Sequence, residues 1–401
     1  MSRTHLTEVS GLNKSTVGSL LAQLQSWGFV RESGISDPRP GRPSVLIDVN
    51  IGAGRLIGAE IGVGFTSVVV TDLKSNVIWR DKVESNDIPP SNEQAQRLEQ
   101  AEELIQEAIA QTTSFGSRLF GMGVGVPGLV DHSTGTLLYA PNLRWHDVPV
   151  RDRWQSRFGV PVIVENEANA AALGERMLGA AHSTDNFVYI TTDIGLGAGL
   201  VIDGKLYGGA GGFAGEVGHM TVEPDGPQCN CGNRGCWETL VGPTAIVRRL
   251  RRAVEDGQAA DLLELCGGDV DAIRMEHVLA AAAQGDPAVL KTLDEVGRYL
   301  GVGIANLVNA FNPSLVVLGG VLSLAGPYIL PRAQREVNAR ALAAARRGVG
   351  ITLSAFGFDA CVMGATALVL REILNNPTAW QPEPEQTPPS RDNMTLAGSA
   401  L

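Results

Sequence analysis

The sequence predicts an α/β body behind a small helical head. Three observations carry this. From residue 52 onward, short apolar runs alternate with longer amphipathic ones, as strands and helices do in α/β proteins. Two glycine-rich hairpins, at 56–72 and 187–203, stand about 130 residues apart and suggest two related lobes. Residues 4–30, in contrast, are helical in pattern and polar.

Length and charge set the bounds. A chain of 401 residues suggests two or three domains, and an apolar content of 44% is enough for large cores. No apolar run reaches the length of a membrane span, and residues 1–30 contain no signal-peptide h-region, so a cytoplasmic protein without membrane contact is expected. The net charge of −11 argues against general nucleic-acid binding by the whole chain. The charge is uneven, however. Residues 1–50 hold five basic side chains against four acidic ones, so the remaining body carries about −12.

In the head, a short helix is expected to end at Gly11. A second begins after Leu12, with Asn13 or Ser15 able to cap it. Val17, Leu20, Leu21 and Leu24 share one face at helical spacing. Lys14, Ser15, Thr16 and Ser19 then lie at the exposed N-terminal end, where a recognition helix presents side chains to the major groove. Trp27-Gly28-Phe29-Val30 leads into a wing strand. Residues 34–43, rich in Pro and Gly, read as a turn or linker, and Arg39 and Arg42 within them could meet phosphates. Short helix, Gly turn and longer helix resemble the winged helix-turn-helix of bacterial repressors. The competing reading is a helical hairpin that caps the body. Only five residues precede Leu6, so the first helix of such a domain is expected to be missing, leaving Val9 and Leu20 partly uncovered.

The body follows. Each hairpin has a Gly-rich turn, by itself a weak phosphate-loop signal. A helix over 92–110 carries Leu98, Ala101, Ile105, Ala108 and Ile109 as one apolar stripe, which fits a core face better than an oligomer contact. Polar groups then gather at strand ends. Gly123-Val124-Gly125-Val126-Pro127-Gly128 precedes Ala140-Pro141-Asn142-Leu143, and Val164-Glu165-Asn166-Glu167-Ala168-Asn169 opens an Ala-rich helix. Asn and acidic side chains offer the acceptors and donors that bind sugar hydroxyls. Each acid alone reads as a surface carboxylate; together, in Gly-framed turns, they favour a polyol pocket.

Three cysteines and a histidine mark the next segment. His219 precedes Cys229-x-Cys231-x4-Cys236, which offers one imidazole and three thiolates, a tetrahedral set for a structural zinc. Asn230, Gly232, Asn233 and Gly235 let the backbone turn tightly around an ion. An unmetallated loop and a disulfide are the alternatives. Cys266 and Cys361 stand apart and read as core cysteines. Five prolines between 377 and 389 introduce a tail over 376–401 that is expected to be disordered.

These motifs resemble the ROK family (repressors, open reading frames and sugar kinases) over about residues 50–375. The resemblance rests on Val126-Pro127-Gly128, Pro141-Asn142, Glu165-Asn166-Glu167-Ala168-Asn169 and Glu216-x-Gly-His219. It rests also on Cys229-x-Cys231-Gly-x-x-Gly-Cys236-x-Glu238 and Gly303-Ile-Ala-Asn306, with Asn312-Pro-x-Leu-Val-Val-Leu-Gly-Gly320 closing the set. It implies an actin-like fold of two α/β lobes around a sugar cleft. The expected division is a head over 1–47, a small lobe over 52–162 plus 359–375, and a large lobe with the zinc loop over 163–358. The resemblance further implies that Gly128, Asn142, Asn166, Glu167, Glu216, His219 and Glu238 line the sugar site. His219 would also ligate zinc, so that the metal holds the cleft wall in shape.

Departures from the family's kinases bear on function. Where they place Asp-x-Gly-Gly-Thr in the first hairpin, this chain reads Glu60-Ile61-Gly62-Val63-Gly64. Where they carry Gly-Thr-Gly in the second, it has Asp193-Ile194-Gly195, which sets a carboxylate near the expected phosphates and removes a hydroxyl. Like charge there repels by several kcal/mol in a dry site, on the order expected from Coulomb's law. Glu167 replaces the catalytic Asp, and the extra methylene shifts its carboxylate by about an ångström, a displacement that costs on the order of 100-fold. The Glu-for-Asp change within Asn166-Glu167-Ala168-Asn169 resembles xylose-repressor-type members in particular. The expectation is a non-enzymatic, sugar-responsive regulator that binds operator DNA as a homodimer or homotetramer, with xylose or glucose as the suggested effector. An ATP-dependent hexose kinase and a sugar sensor acting through a protein partner are the other two readings.

Overall fold

A computed structural model describes residues 1–35, 45–85, 93–114 and 117–380. The chain divides into two compact units, Met1–Asn50 with the stretch from Glu372, and Ile51–Arg371. In the first unit, helix Arg3–Ser10 ends at Gly11, whose φ of +68° is the left-handed conformation that glycine adopts without strain. Asn13, not Ser15, caps the next helix, Lys14–Ser26: its Oδ1 accepts the Thr16 N–H at 2.8 Å and the Ser15 hydroxyl at 2.6 Å. Strands β1 (Val30–Ile35) and β2 (Val45–Val49) then pair antiparallel. The core of this unit is small, Val17 and Leu21 against Ile47, with Leu6 and Val30 packed on it. Val9 and Leu20 are 68% and 45% exposed.

The body opens with β3 (Arg55–Ile61), β4 (Phe65–Thr71), β5 (Val77–Glu84) and β6 (Leu119–Val126). Strands β7 (Leu129–Asp131), β8 (Thr136–Ala140) and β9 (Trp145–Val148) form a separate antiparallel sheet. β10 (Val162–Asn166) rejoins the earlier group, giving a five-stranded sheet in the order β5-β4-β3-β6-β10. β11 (Phe187–Thr192), β12 (Leu196–Ile202), β13 (Lys205–Leu206), β14 (Leu315–Gly320) and β15 (Gly350–Leu353) make the second, in the order β13-β12-β11-β14-β15. Each sheet runs from two antiparallel pairings into two parallel ones, so the same plan occurs twice. Both Gly-rich hairpins are present, as β3–β4 and β11–β12.

One boundary needs correction. The sequence suggested that the second lobe starts at 163, yet β10 pairs in parallel with β6 from Val162 against Met122 to Asn166 against Val126. The first sheet therefore extends through Asn166, because the hydrogen bonds of a parallel strand come from a partner distant in sequence.

Helix Glu93–Ser114 buries Leu98, Ala101, Ile105 and Ala108 against the first sheet, so its stripe is core. The second sheet packs on helix Pro287–Phe311, which buries Val289, Leu293, Val296, Leu300 and Ile304 in the largest cluster of the molecule's described residues. Cys266 and Cys361 are both buried. Two further helices, Glu167–Leu178 and Ala360–Asn375, cross each other backbone to backbone. A Cβ on Gly174 would sit 2.9 Å from the Gly364 Cα, and one on Gly364 would overlap the Ala170 carbonyl. The Ala360–Asn375 helix also lies close on the first sheet, where a Cβ on Gly58 or Gly123 would strike its backbone. Among the described residues no helix is long and apolar enough to cross a membrane.

Candidate functional site

The site starts at the end of β10. Asn166 caps helix Glu167–Leu178, its Oδ1 accepting the N–H groups of Ala168 at 2.9 Å and Asn169 at 3.2 Å. Its Nδ2 donates to the Gly128 carbonyl at 3.0 Å. Gly128 has a φ of +102°, and a Cβ there would strike the Tyr139 carbonyl, so this corner admits only glycine. With Oδ1 committed to the cap, Asn166 has one amide N–H left for a ligand. Beside it Glu165 is buried. Its Oε1 accepts the Asn166 N–H at 2.9 Å and the Asn169 Nδ2–H at 3.1 Å.

These groups open on a cleft whose space, about 360 Å³, runs out into open solvent. Gly128, Asn166 and Glu216, all expected from sequence, line it, together with His132, Asn169, Gly212 and Phe213. Asn142 and Glu238 both approach Gly195, in the turn between β11 and β12. An atom at the Cβ position of Gly195 would lie 2.8 Å from Glu238 Oε2 and 3.9 Å from Asn142 Nδ2. His219 joins through Nε2, which is 3.7 Å from Glu216 Oε2. His132 and Phe213 escaped the sequence reading because both sit in turns, where no periodicity singles out a residue. Asn169 stood inside a quoted motif, and its place three residues after the cap puts it on the same first turn.

A second group of carboxyls comprises buried Glu60, half-buried Glu167 and exposed Asp193. Burial raises Glu60 well above the usual carboxylate range, and the charges of Glu167 and Asp193 push it further. Glu167 rises to about 7, through burial first and then Asp193 and Glu216. Asp193 is raised as well: the surrounding protein strips part of its hydration, and Lys82 opposes the shift. The buried Cys361 thiol rises for the same reasons, burial foremost and Glu60 next. Over this region the first hairpin closes on itself. Gly62 N–H donates to the Phe65 carbonyl at 2.9 Å, and the Phe65 ring lies so close on Gly62 that a Cβ there would overlap it. Lys82 Nζ stands 4.2 Å from the centre of that ring and 2.9 Å from Glu84. Ile194 is exposed.

The cysteine segment forms a cluster. Ligand atoms of His219, Cys229, Cys231 and Cys236 all lie within 4.8 Å of one another. Cys231 and Cys236 Sγ are 3.7 Å apart, and Cys229 Sγ is 3.8 Å from His219 Nδ1. Metal–thiolate bonds of ~2.3 Å in tetrahedral geometry need edges of about that length, so the donor set suits a metal ion. Tight turns hold it: Cys229 N–H donates to the Asn233 carbonyl at 2.9 Å and Gly232 N–H to the Cys229 carbonyl at 3.1 Å. The Cys229 thiol donates to Glu238 Oε1 at 2.9 Å, a proton that a bound ion would displace. His219 presents Nδ1 to the thiols and Nε2 to Glu216, so one ring spans cluster and cleft. The next residue, Trp237, is fully buried with its indole against Gly303, and its Nε1 donates to the Tyr299 carbonyl at 2.9 Å.

In the N-terminal unit, Lys14, Ser15 and Ser19 are exposed and Thr16 partly so. Arg39 and Arg42 lie outside the described residues.

Comparison with known proteins gives three informative matches. The chain is 35% identical to the xylose repressor of Caldicellulosiruptor bescii over 377 residues, 94% of this chain and 93% of the relative. Its structure is similar to that of a ROK family transcriptional regulator, a homologue of the E. coli MLC protein, with a TM-score of 0.77, 29% identity and coverage of 92% and 91%. It is also similar to a ROK family glucokinase from Streptomyces griseus in complex with glucose and AMPPNP, with a TM-score of 0.69 and 35% identity. That match takes in 99% of the glucokinase but 79% of this chain. The body has the actin-like, sugar-kinase-type fold of these proteins, the ROK family model matches residues 56–372, and the chain belongs to the ROK family.

Proposed function

We propose that this chain is a sugar-responsive transcriptional repressor. One observation carries the reading: similarity to a xylose repressor extends over 94% of the chain, whereas a whole glucokinase accounts for 79%. The part beyond the kinase body is consistent with the helix-turn-helix and β-hairpin at the N-terminus, a winged helix-turn-helix in this reading. Lys14, Ser15, Thr16 and Ser19 on the start of its second helix are the candidate base and phosphate contacts, with Arg39 and Arg42 as phosphate contacts. A symmetric homodimer, or a homotetramer built from it, would read a roughly palindromic operator in the cytoplasm.

The effector in this reading is a monosaccharide, with xylose favoured by the relative's name. Gly128, Asn142, Asn166, Glu167, Glu216, His219 and Glu238 would hold its hydroxyls. The Cys3His cluster would bind a structural zinc that fixes the orientation of His219. The sugar acts on DNA binding only as far as it prefers one conformation of the body over another. Phosphoryl transfer is disfavoured by these carboxyls: Glu167 and Asp193 already raise the pKa of Glu60, and Asp193 that of Glu167, and a polyphosphate would add charge of the same sign. The Phe65 ring packed on Gly62 also covers the hairpin that a phosphate would approach.

Fluorescence anisotropy on DNA upstream of the gene, with and without pentoses and hexoses, tests the proposal. Sugar-dependent binding is expected. Glu216→Ala should abolish the response and leave DNA affinity within about twofold. Loss of both in a folded variant would count against the scheme. Sugar-dependent ADP release that disappears in Glu167→Ala would favour a kinase instead.

A further inference from the structure

His132 sits in the turn between β7 and β8, and its backbone is fixed from two directions. The Asp131 carboxylate accepts the Ser133 N–H at 2.9 Å and the hydroxyls of Ser133 and Thr134 at 2.7 and 2.9 Å. Arg151 donates to the carbonyls of His132 and Ser133, at 2.8 Å each. The ring stands beside Glu165. One oxygen of that buried carboxylate takes the N–H groups of Asn166 and Asn169, and the other is 3.5 Å from His132 Nδ1. A buried carboxylate acceptor favours the tautomer with the proton on Nδ1, which leaves Nε2 as an acceptor. The ring's free edge passes Gly212, where a Cβ would lie 3.4 Å from Cδ2 and 3.6 Å from Nε2. Imidazole, both Asn amides and Glu216 line the same cleft.

We infer that His132 is a ligand-reading residue of this cleft: its Nε2 accepts a hydroxyl proton from a polyhydroxylated ligand and so selects among sugars that differ at that hydroxyl. Donors on Asn166 and Asn169 and the acceptor on Glu216 line the same cleft, and together they offer the mixed donors and acceptors that sugar hydroxyls require. Glu165 acts through His132 and Asn169 as a positioning residue. The inference deepens the sugar-effector reading and rests on it.

Isothermal titration calorimetry on the full chain tests it, with D-xylose, D-glucose and their single-deoxy analogues as probes, for the unaltered protein, His132→Ala and His132→Gln. The unaltered protein is expected to bind at least one of the sugars. His132→Ala should weaken that sugar by ~10-fold, the usual scale for one lost hydrogen bond. His132→Gln, whose amide reaches the Nε2 position, should recover part of the loss. One deoxy analogue should bind His132→Ala and the unaltered protein equally, because the hydroxyl it lacks is the one His132 reads. If His132→Ala binds every probe as the unaltered protein does, or loses the same factor for every analogue, the His132 role is overturned while the effector reading stands. If the unaltered protein binds none of these sugars, both fall together.

Discussion

Glu167 is a half-buried carboxyl whose proton is held by burial and by the charges of Asp193 and Glu216. Its pKa rises from 4.5 to about 7 on folding, so the folded state holds this proton more tightly than the unfolded one. The sign follows from linkage. The contribution to stability is complete below pH ~4.5 and is lost as the pH rises through ~7. Glu60 and Asp193 shift in the same direction and deepen the trend. Glu167→Gln cannot ionise, so its thermal melts should match those of the unaltered protein at pH 4.5. Above pH 7 they should show a gain of roughly 1–3 kcal/mol, after allowance for partial exposure. Equal pH dependence in both proteins would mean that Glu167 keeps ordinary hydration. The neighbouring Asn166 illustrates a different economy at this scale: one side chain caps a helix, clamps the Gly128 corner and still has an N–H to offer.

The His219–Trp237 segment carries its own prediction. Its four ligand atoms gather within 4.8 Å, and Trp237 keys the segment to helix Pro287–Phe311 through Tyr299 and Gly303. Purified protein should contain about one zinc per chain, the usual occupancy of a four-ligand site. Cys236→Ser should lose it, melt at lower temperature and bind sugar more weakly, because His219 is then free to turn from Glu216. Metal content by mass spectrometry and sugar titration check this. A zinc-free protein with unchanged sugar affinity would separate cluster from cleft. This cluster was legible from sequence, because its ligands lie on one stretch between His219 and Cys236 and their chemistry is rare. The Gly11 turn, a cap at Asn13 or Ser15 and both Gly-rich hairpins were legible for a similar reason: the signal and the structure share one stretch of chain. β10 was misassigned because its partner β6 is about 40 residues away, and alternation alone does not say which sheet a buried strand joins. His132 was missed because its role comes from Glu165 and Gly212, neither close to it in sequence.

Over the whole molecule, one strand plan occurs twice, and helices Glu167–Leu178 and Ala360–Asn375 cross in the body that contains both sheets. The crossing is built from Ala170, Gly174 and Gly364, where main chains touch. Gly364→Ala would push a methyl group into the Ala170 carbonyl and should cost roughly 1–3 kcal/mol in denaturant unfolding, as overpacking does. An unchanged midpoint would mean that the helices part easily at this point. Resemblance made the two-lobed architecture legible, yet periodicity could not locate this contact, since a glycine in an Ala-rich helix looks the same whether it faces solvent or another backbone. The crossing leaves no room for a side chain between the two backbones at Gly174 and Gly364. Most helix pairs interlock like gear teeth, and turning one against the other requires side chains to jump between grooves. Here the main chains themselves meet, so backbone atoms set the spacing of the two helices and a side chain added at Gly174 or Gly364 would act as a wedge.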